Sequence, residues 1–202
     1  MSTILHLNSS IFGESGQSSR LAQEFVARYP AARVVTRDLA KNPLPHLDAE
    51  RFGAFLAKPE ARSPAQAAVA AQSDALIAEL KAADTIVLGL PMYNFGVPTQ
   101  LKAYFDHVAR AGVTFKYTEK GPVGLLGGKK AYVFAARGGL YQGSPRDTQT
   151  PYVREFLGFL GITDVEFVYA EGLAISEASK SASLALARDR LRNLAQPERI
   201  AA

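Results

Sequence analysis

Short runs of apolar residues alternate along this chain with segments whose apolar positions recur three and four apart. Ile4-Leu5-His6-Leu7 reads as a short strand, and a Ser/Gly/Gln-rich loop follows over 9–19. Leu21, Ala22, Phe25, Val26 and Tyr29 then share one helical face, and Pro30 stops that helix. Arg33-Val34-Val35-Thr36 reads as a second strand. Residues 38–64, with Pro43, Pro45, Pro59 and Pro64, are the least regular and predict one short helix over 47–57. Ser63, Pro64 and Gln66 form a capping box opening a longer helix, with Val69, Leu76, Ile77 and Leu80 inward. Thr85-Ile86-Val87-Leu88-Gly89-Leu90 is a continuous apolar run, the mark of a strand buried on both faces. Pro98 starts a helix with Leu101, Tyr104, Phe105 and Val108 inward, ended by Gly112. The alternation over 114–118, before Gly121-Pro122, predicts a small hairpin arm. Ala131-Tyr132-Val133-Phe134-Ala135 is a fourth strand. A helix capped by Thr150-Pro151 and closed by Gly161 follows, with Val153, Phe156, Leu157 and Leu160 inward. Val165-Glu166-Phe167-Val168-Tyr169 is a fifth strand, and the last helix carries Leu184, Ala187, Leu191 and Leu194.

Five strands alternating with five main helices predict a doubly wound α/β domain spanning 1–202, with a parallel sheet of order 2-1-3-4-5 and helices on both faces. Ligands of such sheets bind at the strand carboxyl ends, where strands 1 and 3 diverge. At 202 residues, 48% hydrophobic and 21% charged, the chain can build a core unaided. With no cysteine, disulfides, thiolate zinc sites, iron–sulfur clusters and a cysteine nucleophile are excluded. His6, His46 and His107 are far apart and on no metal-ligand spacing, so no metal site is expected. His6 is expected in the core and His107 on an outer helix position.

The net charge of +4 is spread over alternating signs. The densest basic stretch, Arg188-Asp189-Arg190-Leu191-Arg192, reads as a solvated helix face near a C-terminus. No nucleic-acid partner is expected, while a mild positive potential favours anionic ligands such as phosphates. The first residues have no leader pattern, and no apolar run approaches the ~18 residues that span a bilayer. A soluble, cytoplasmic protein is expected.

The loops after strands 1, 3 and 4 are each unusual. The first, over 8–19, has neither a G-x-G-x-x-G fingerprint nor a lysine-bearing phosphate loop, but is dense in hydroxyls and enters a helix. It suits a phosphate monoester; equally, Ser18 could be a plain N-cap. The second, Pro91-Met92-Tyr93-Asn94-Phe95-Gly96-Val97-Pro98, puts Met and two aromatics at a strand mouth, as walls for a flat ligand or as a loop burying its own hydrophobes. The third, Ala136-Arg137-Gly138-Gly139, permits close approach of backbone N–H groups to a ligand, or serves a tight turn needing positive φ. A phosphorylated flat heterocycle, flavin mononucleotide (FMN), satisfies all three.

At these residues the sequence resembles the FMN-dependent NAD(P)H:quinone/azo reductases, or azoreductases. The similarity runs through Pro91-Met92-Tyr93-Asn94-Phe95, Leu101-Lys102, Asp106, Ala109-Arg110-Ala111-Gly112-Val113-Thr114-Phe115, Tyr117-Thr118, Gly121-Pro122 and Gly124-Leu125. Arg137-Gly138-Gly139, Phe156-Leu157-Gly158-Phe159 and Ala170-Glu171-Gly172 also match, and the first loop matches through Ser10 and Gly16-Gln17-Ser18. The family often has Ser at the positions of Gly16 and Ala136; those departures remove two hydroxyls but leave the backbone donors. Residues 40–64 match least.

The resemblance implies a flavodoxin-like homodimer with one FMN per subunit and NADH or NADPH as donor. Ser10, Gly16, Gln17 and Ser18 would hold the phosphate end. Met92, Tyr93, Asn94, Phe95, Ala136, Arg137, Gly138 and Gly139 would hold the isoalloxazine. Both subunits would line the substrate cavity through Asn94, Phe95, Tyr117 and Phe159. The flavin carries the chemistry, so no acid–base residue is assigned, and ping-pong reduction of quinones and azo compounds is expected. The alternatives are a nitro- or chromate reductase of the broader FMN reductase group and a flavodoxin-type electron carrier, which usually shows an acidic docking face. A receiver-like domain would need carboxylates after strand 1, where Asn8-Ser9-Ser10 supplies none.

Overall fold

The computed structural model describes residues 1–194; the end of the expected domain, 195–202, lies outside the described residues. Five parallel strands form the central sheet: β1 (Thr3–Asn8), β2 (Arg33–Asp38), β3 (Thr85–Pro91), β6 (Lys130–Ala136) and β7 (Asp164–Ala170). Their order is β2-β1-β3-β6-β7, the 2-1-3-4-5 pattern with the hairpin strands β4 (Phe115–Thr118) and β5 (Gly121–Gly124) counted in sequence. β3 is central and buried along its whole length, which is why its sequence is an unbroken apolar run. β2 is the polar edge.

Helices α1 (Gln17–Val26) and α6 (Glu177–Leu194) cover one face, and α3 (Pro64–Ala82), α4 (Thr99–Val108) and α5 (Gln149–Phe159) cover the other. On the first face Leu21, Ala22, Phe25, Ala187, Leu191 and Leu194 meet Ile4, Val87, Tyr132, Phe134 and Val168. On the second, Leu76, Ile77, Leu80, Leu101, Tyr104, Phe105, Val153 and Leu157 meet Leu5, Leu7, Ile86, Leu88 and Val133. The capping box at Ser63 is formed in both directions. Among the described residues, no helix is long and apolar enough to cross a membrane.

Several local expectations are corrected. The first loop ends at Gly16, which caps α1, so Ser18 lies inside the helix and is not its cap. α4 ends at Val108, before Gly112, and α5 is capped by Thr148. His107 is fully buried rather than on an outer position. The cause is α2 (Ala49–Leu56), which lies over α3: Phe55 meets the His107 ring edge-on at 6.0 Å, and Arg110, paired with Asp74, stacks over Phe55. The Arg188 stretch is not wholly solvated either. Leu191 is core, and Arg188 forms a two-pronged pair with Glu24 on α1.

Candidate functional site

Strand register brings three loops to one rim. Asn8 pairs with Gly89 and Pro91 with Ala136, so β1, β3 and β6 end side by side. Connections leave β1 and β3 in opposite directions across the sheet, and the crevice opens there.

The loop after β1 is tied down by its own serines. Ser9 Oγ donates to Gly89 O at 2.7 Å. Ser10 Oγ accepts from Phe12 N and lies 3.2 Å from Tyr93 Oη, joining the first loop to the second. A Cβ at Gly16 would stand 2.3 Å from Ser10 Oγ and 2.8 Å from Ser10 Cβ, so a side chain here would have to displace this serine. The first helical bond of α1 runs from Arg20 N to Gly16 O, and Gly16 offers no side-chain cap. The peptide N–H groups of the first turn are therefore free to point at an anion. Ser18 Oγ and Ser19 Oγ are buried there without a hydrogen-bond partner among the described residues. Gly89 lets this turn sit directly on β3, since a Cβ would meet Ser18 O at 3.2 Å and Ser19 N at 3.3 Å.

The loop after β3 is a tight turn in which Tyr93 and Gly96 exchange backbone hydrogen bonds. Asn94 and Phe95 at its tip have φ of 50° and 63°, a conformation that non-glycine residues rarely adopt. The turn is held from α5: Gln149 Nε2 donates to Pro91 O and Gly96 O, and Thr148 Oγ1 donates to Phe95 O. Phe95 is thereby kept 53% exposed, with its ring edge-on to Tyr141 at 5.8 Å.

The loop after β6 uses its glycines for space. Neither Gly138 nor Gly139 has a positive φ, so the positive-φ turn is not their reason. A Cβ on Gly139 would stand 2.8 Å from the Tyr141 ring, and one on Gly138 3.2 Å from Ala174. The carbonyls of both accept backbone bonds from the segment after β7, while their N–H groups have no partner among the described residues. Arg137, expected at the ring, turns its guanidinium inward. It is fully buried against Asp147, Glu171 and Thr150 and stacks over Tyr169 at 5.1 Å. Burial opposes ionisation of Asp147, but hydrogen bonds from Arg137 and Thr150 outweigh it and hold the carboxyl below its ordinary value.

Ser10, Gly16, Gln17, Ser18, Met92, Tyr93, Asn94, Phe95, Ala136, Gly138 and Gly139 all lie at the carboxyl ends of β1, β3 and β6 or on the loops and the first turn of α1 that follow them. Tyr117 and Phe159 do not join them. Phe159 ends α5, about 15 Å from the turn that Gln149 holds at the other end of the helix. Its ring packs on Phe115 at 4.2 Å, and Tyr117 stands edge-on to Phe115. Gly89, Gln149, Thr148 and Tyr141 are not among the residues the sequence reading assigns to the site, and Glu171 enters it only through the Ala170-Glu171-Gly172 match, without a role. Only Gly89, a glycine interrupting an apolar strand, carried a local signal.

The crevice fits a phosphorylated flat ring: unspent donors at a helix N-terminus, an aromatic wall, and two free peptide N–H groups. Comparison with known proteins agrees. A family model described as flavodoxin-like fold matches residues 2–195. An FMN-dependent NADH:quinone oxidoreductase of Burkholderia lata is 55% identical over 193 residues, covering 94% of this chain and 98% of the relative. Among solved structures, an azoreductase from Bacillus anthracis superposes with a TM-score of 0.88 at 30% identity, covering 96% of this chain and 99% of that one. An FMN-dependent NADH-azoreductase of the same species, solved with FMN, gives 0.85 at 26% identity over 97% of this chain and 100% of that one.

Proposed function

This chain belongs to the FMN-dependent NADH:quinone oxidoreductases of flavodoxin-like fold, and on that premise we propose that its three sheet-end loops hold FMN in a cavity completed by a second copy of the chain. There the enzyme passes electron pairs from NADH to quinones and azo compounds. Ser10, Gly16, Gln17 and Ser18 hold the phosphate. Met92, Tyr93, Asn94 and Phe95 form the wall beside the ring. Ala136, Gly138 and Gly139 present backbone to its edge, with Arg137 contributing only through its main chain. When bound, FMN would supply the two-electron redox chemistry between nicotinamide and acceptor.

The protein's part is binding and electrostatics. The α1 dipole and its uncapped N–H groups neutralise the phosphate, with the orphaned Ser18 hydroxyl as an added donor. The fixed N–H groups of Gly138 and Gly139 stabilise negative charge on a ring edge docked against them, at no cost of reorientation. The exposed Phe95 ring offers a flat surface for a flat acceptor. The observation that carries the reading is the set of unspent donors on loops that the sheet register forces together.

The second copy is part of the proposal because Phe159 lies a helix length from its own chain's crevice, with Tyr117 linked to it through Phe115. Tyr117 is 75% exposed, beside the exposed Val123 and Leu125. A partner chain bringing that strip over the crevice supplies both rings to the cavity. A nicotinamide donor suits a cytoplasmic enzyme. An electron carrier has no use for such a cavity. The test is direct: purified protein should carry FMN that is released on denaturation, and NADH:benzoquinone kinetics should give parallel double-reciprocal lines. Protein that stays colourless after reconstitution with FMN overturns the reading, and intersecting lines overturn successive binding of donor and acceptor at one face.

A further inference from the structure

The Gly138 and Gly139 donors point where they do because of groups behind them. Every peptide bond here is trans, so each N–H points opposite to the carbonyl of the preceding residue. The Arg137 carbonyl accepts from Leu173 N at 3.2 Å and the Gly138 carbonyl from Ala174 N at 3.0 Å. The Gly138 and Gly139 N–H groups are therefore turned away from the segment after β7. The Gly139 carbonyl closes the zipper by accepting from Gly172 N at 2.9 Å.

Glu171 fastens both ends of this stretch. Its Oε1 accepts from Arg137 Nη1 at 3.0 Å, ahead of the glycines, and from Tyr141 N at 3.1 Å, after them. Gln142 N donates to both of its oxygens. Glu171 is itself anchored, with its N–H donating to Ser183 Oγ on α6 at 2.9 Å. Arg137 carries the fastening on to α5 through Asp147 and Thr150. The Arg137 side chain has no exposed surface and that of Glu171 very little, so neither is placed to touch a ligand in the crevice.

We propose that Glu171 and Arg137 are positioning residues for the flavin ring: bridging residues 137 to 142 from behind, they aim the Gly138 and Gly139 N–H groups and so set flavin affinity. The inference rests on the FMN reading above and concerns side chains that reading leaves without a role. Its test uses the full-length apoprotein, titrated with FMN and separately with riboflavin by flavin fluorescence, in wild type, Glu171→Ala, Glu171→Gln and Ser18→Ala.

In Glu171→Ala, both ligands should bind about tenfold or more weakly, the usual scale for losing hydrogen bonds to a charged group. The ratio of FMN to riboflavin affinity should stay that of wild type, because the fault is at the ring end. Amide hydrogen exchange should accelerate over 137–142 while the sheet keeps its protection. Glu171→Gln keeps an acceptor for the two N–H groups but loses the ion pair, and should fall between. Ser18→Ala should lower FMN affinity alone. Unchanged affinity in Glu171→Ala overturns the inference, as does a loss matched by faster exchange throughout the sheet, which would mark a merely structural role. Wild-type apoprotein that binds neither ligand overturns instead the FMN reading on which it rests.

Discussion

Gln149 donates from one side-chain nitrogen to Gly96 O at 2.8 Å and to Pro91 O at 2.9 Å, closing the two ends of the Tyr93–Gly96 turn onto the first residue of α5. That grip maintains Asn94 and Phe95 at positive φ, which costs on the order of 1–2 kcal/mol per residue. Gln149→Ala leaves both carbonyls without this donor and should destabilise the protein by about 1–3 kcal/mol, with weaker FMN binding, read by thermal unfolding and flavin titration. Phe95→Gly should do the reverse to stability, gaining roughly 1 kcal/mol from relieved strain while losing quinone turnover. A turn that gains nothing from glycine would mean the strain is not real.

Gly89 makes a second, sharper case. Its missing side chain lets Ser18 and Ser19 rest on β3, so Gly89→Ala must push the start of α1 outward by a few tenths of an ångström. The expected cost is about 1–3 kcal/mol, with FMN affinity reduced more than riboflavin affinity because the phosphate end moves. Gly158→Ala is the control. Nothing lies within 4 Å of its added Cβ in α5, so it should be neutral or stabilise by up to about 1 kcal/mol. Equal effects at the two glycines would show that close approach at Gly89 is unimportant.

These residues mark where the sequence stops being legible. Sheet order and the three loops could be read because each rests on a local pattern: the run from Thr85 to Leu90, the helical spacing of Leu101, Tyr104, Phe105 and Val108, the Gly-Gly pair after a strand. Gln149 has no such pattern, and Glu171 has only a matched motif that assigns it no role. Each is a polar residue whose partners, Gly96 and Tyr141, are far along the chain and arrive only when loops and strands have packed. His107 failed for a related reason. Its helix looks one-sided in sequence, and only α2, from the least regular stretch, buries its outer flank. Arg137 is expected beside the ring, but which way its side chain turns depends on carboxylates from two other segments.

His6 gives stability a pH dependence of predictable sign. Burial in β1 pushes its pKa down from the ordinary 6.5, with Asn8 and Asp38 pulling only partly the other way. In the folded protein it stays neutral where the unfolded chain would take up a proton. The unfolded state thus binds more protons below pH 6.5, and stability should be full above that value and fall as pH drops through it. Denaturant melts across this range should show the decline in wild type and a flatter profile in His6→Val. An identical decline in the variant would assign it to other groups.

Phe159 tests the assembly. It sits with Phe115 at the far end of α5, so in its own chain it can affect the crevice only through the length of the helix. If a partner brings it to the cavity, its loss should act in trans. Phe159→Ala should retain FMN, because no flavin-holding group changes, while quinone turnover falls. Gly16→Val should lose FMN, since its Cβ would strike Ser10, yet keep an intact Phe159. Neither chain alone then makes a complete site. Co-refolded together, they should form mixed dimers in which the FMN site of one chain is covered by the Phe159 of the other, with turnover above that of either variant. Residues lining only their own chain's site cannot complement in this way. Activity that merely averages on mixing would place Phe159 with its own flavin or with none, and the shared cavity would have to be abandoned while the FMN site itself stood.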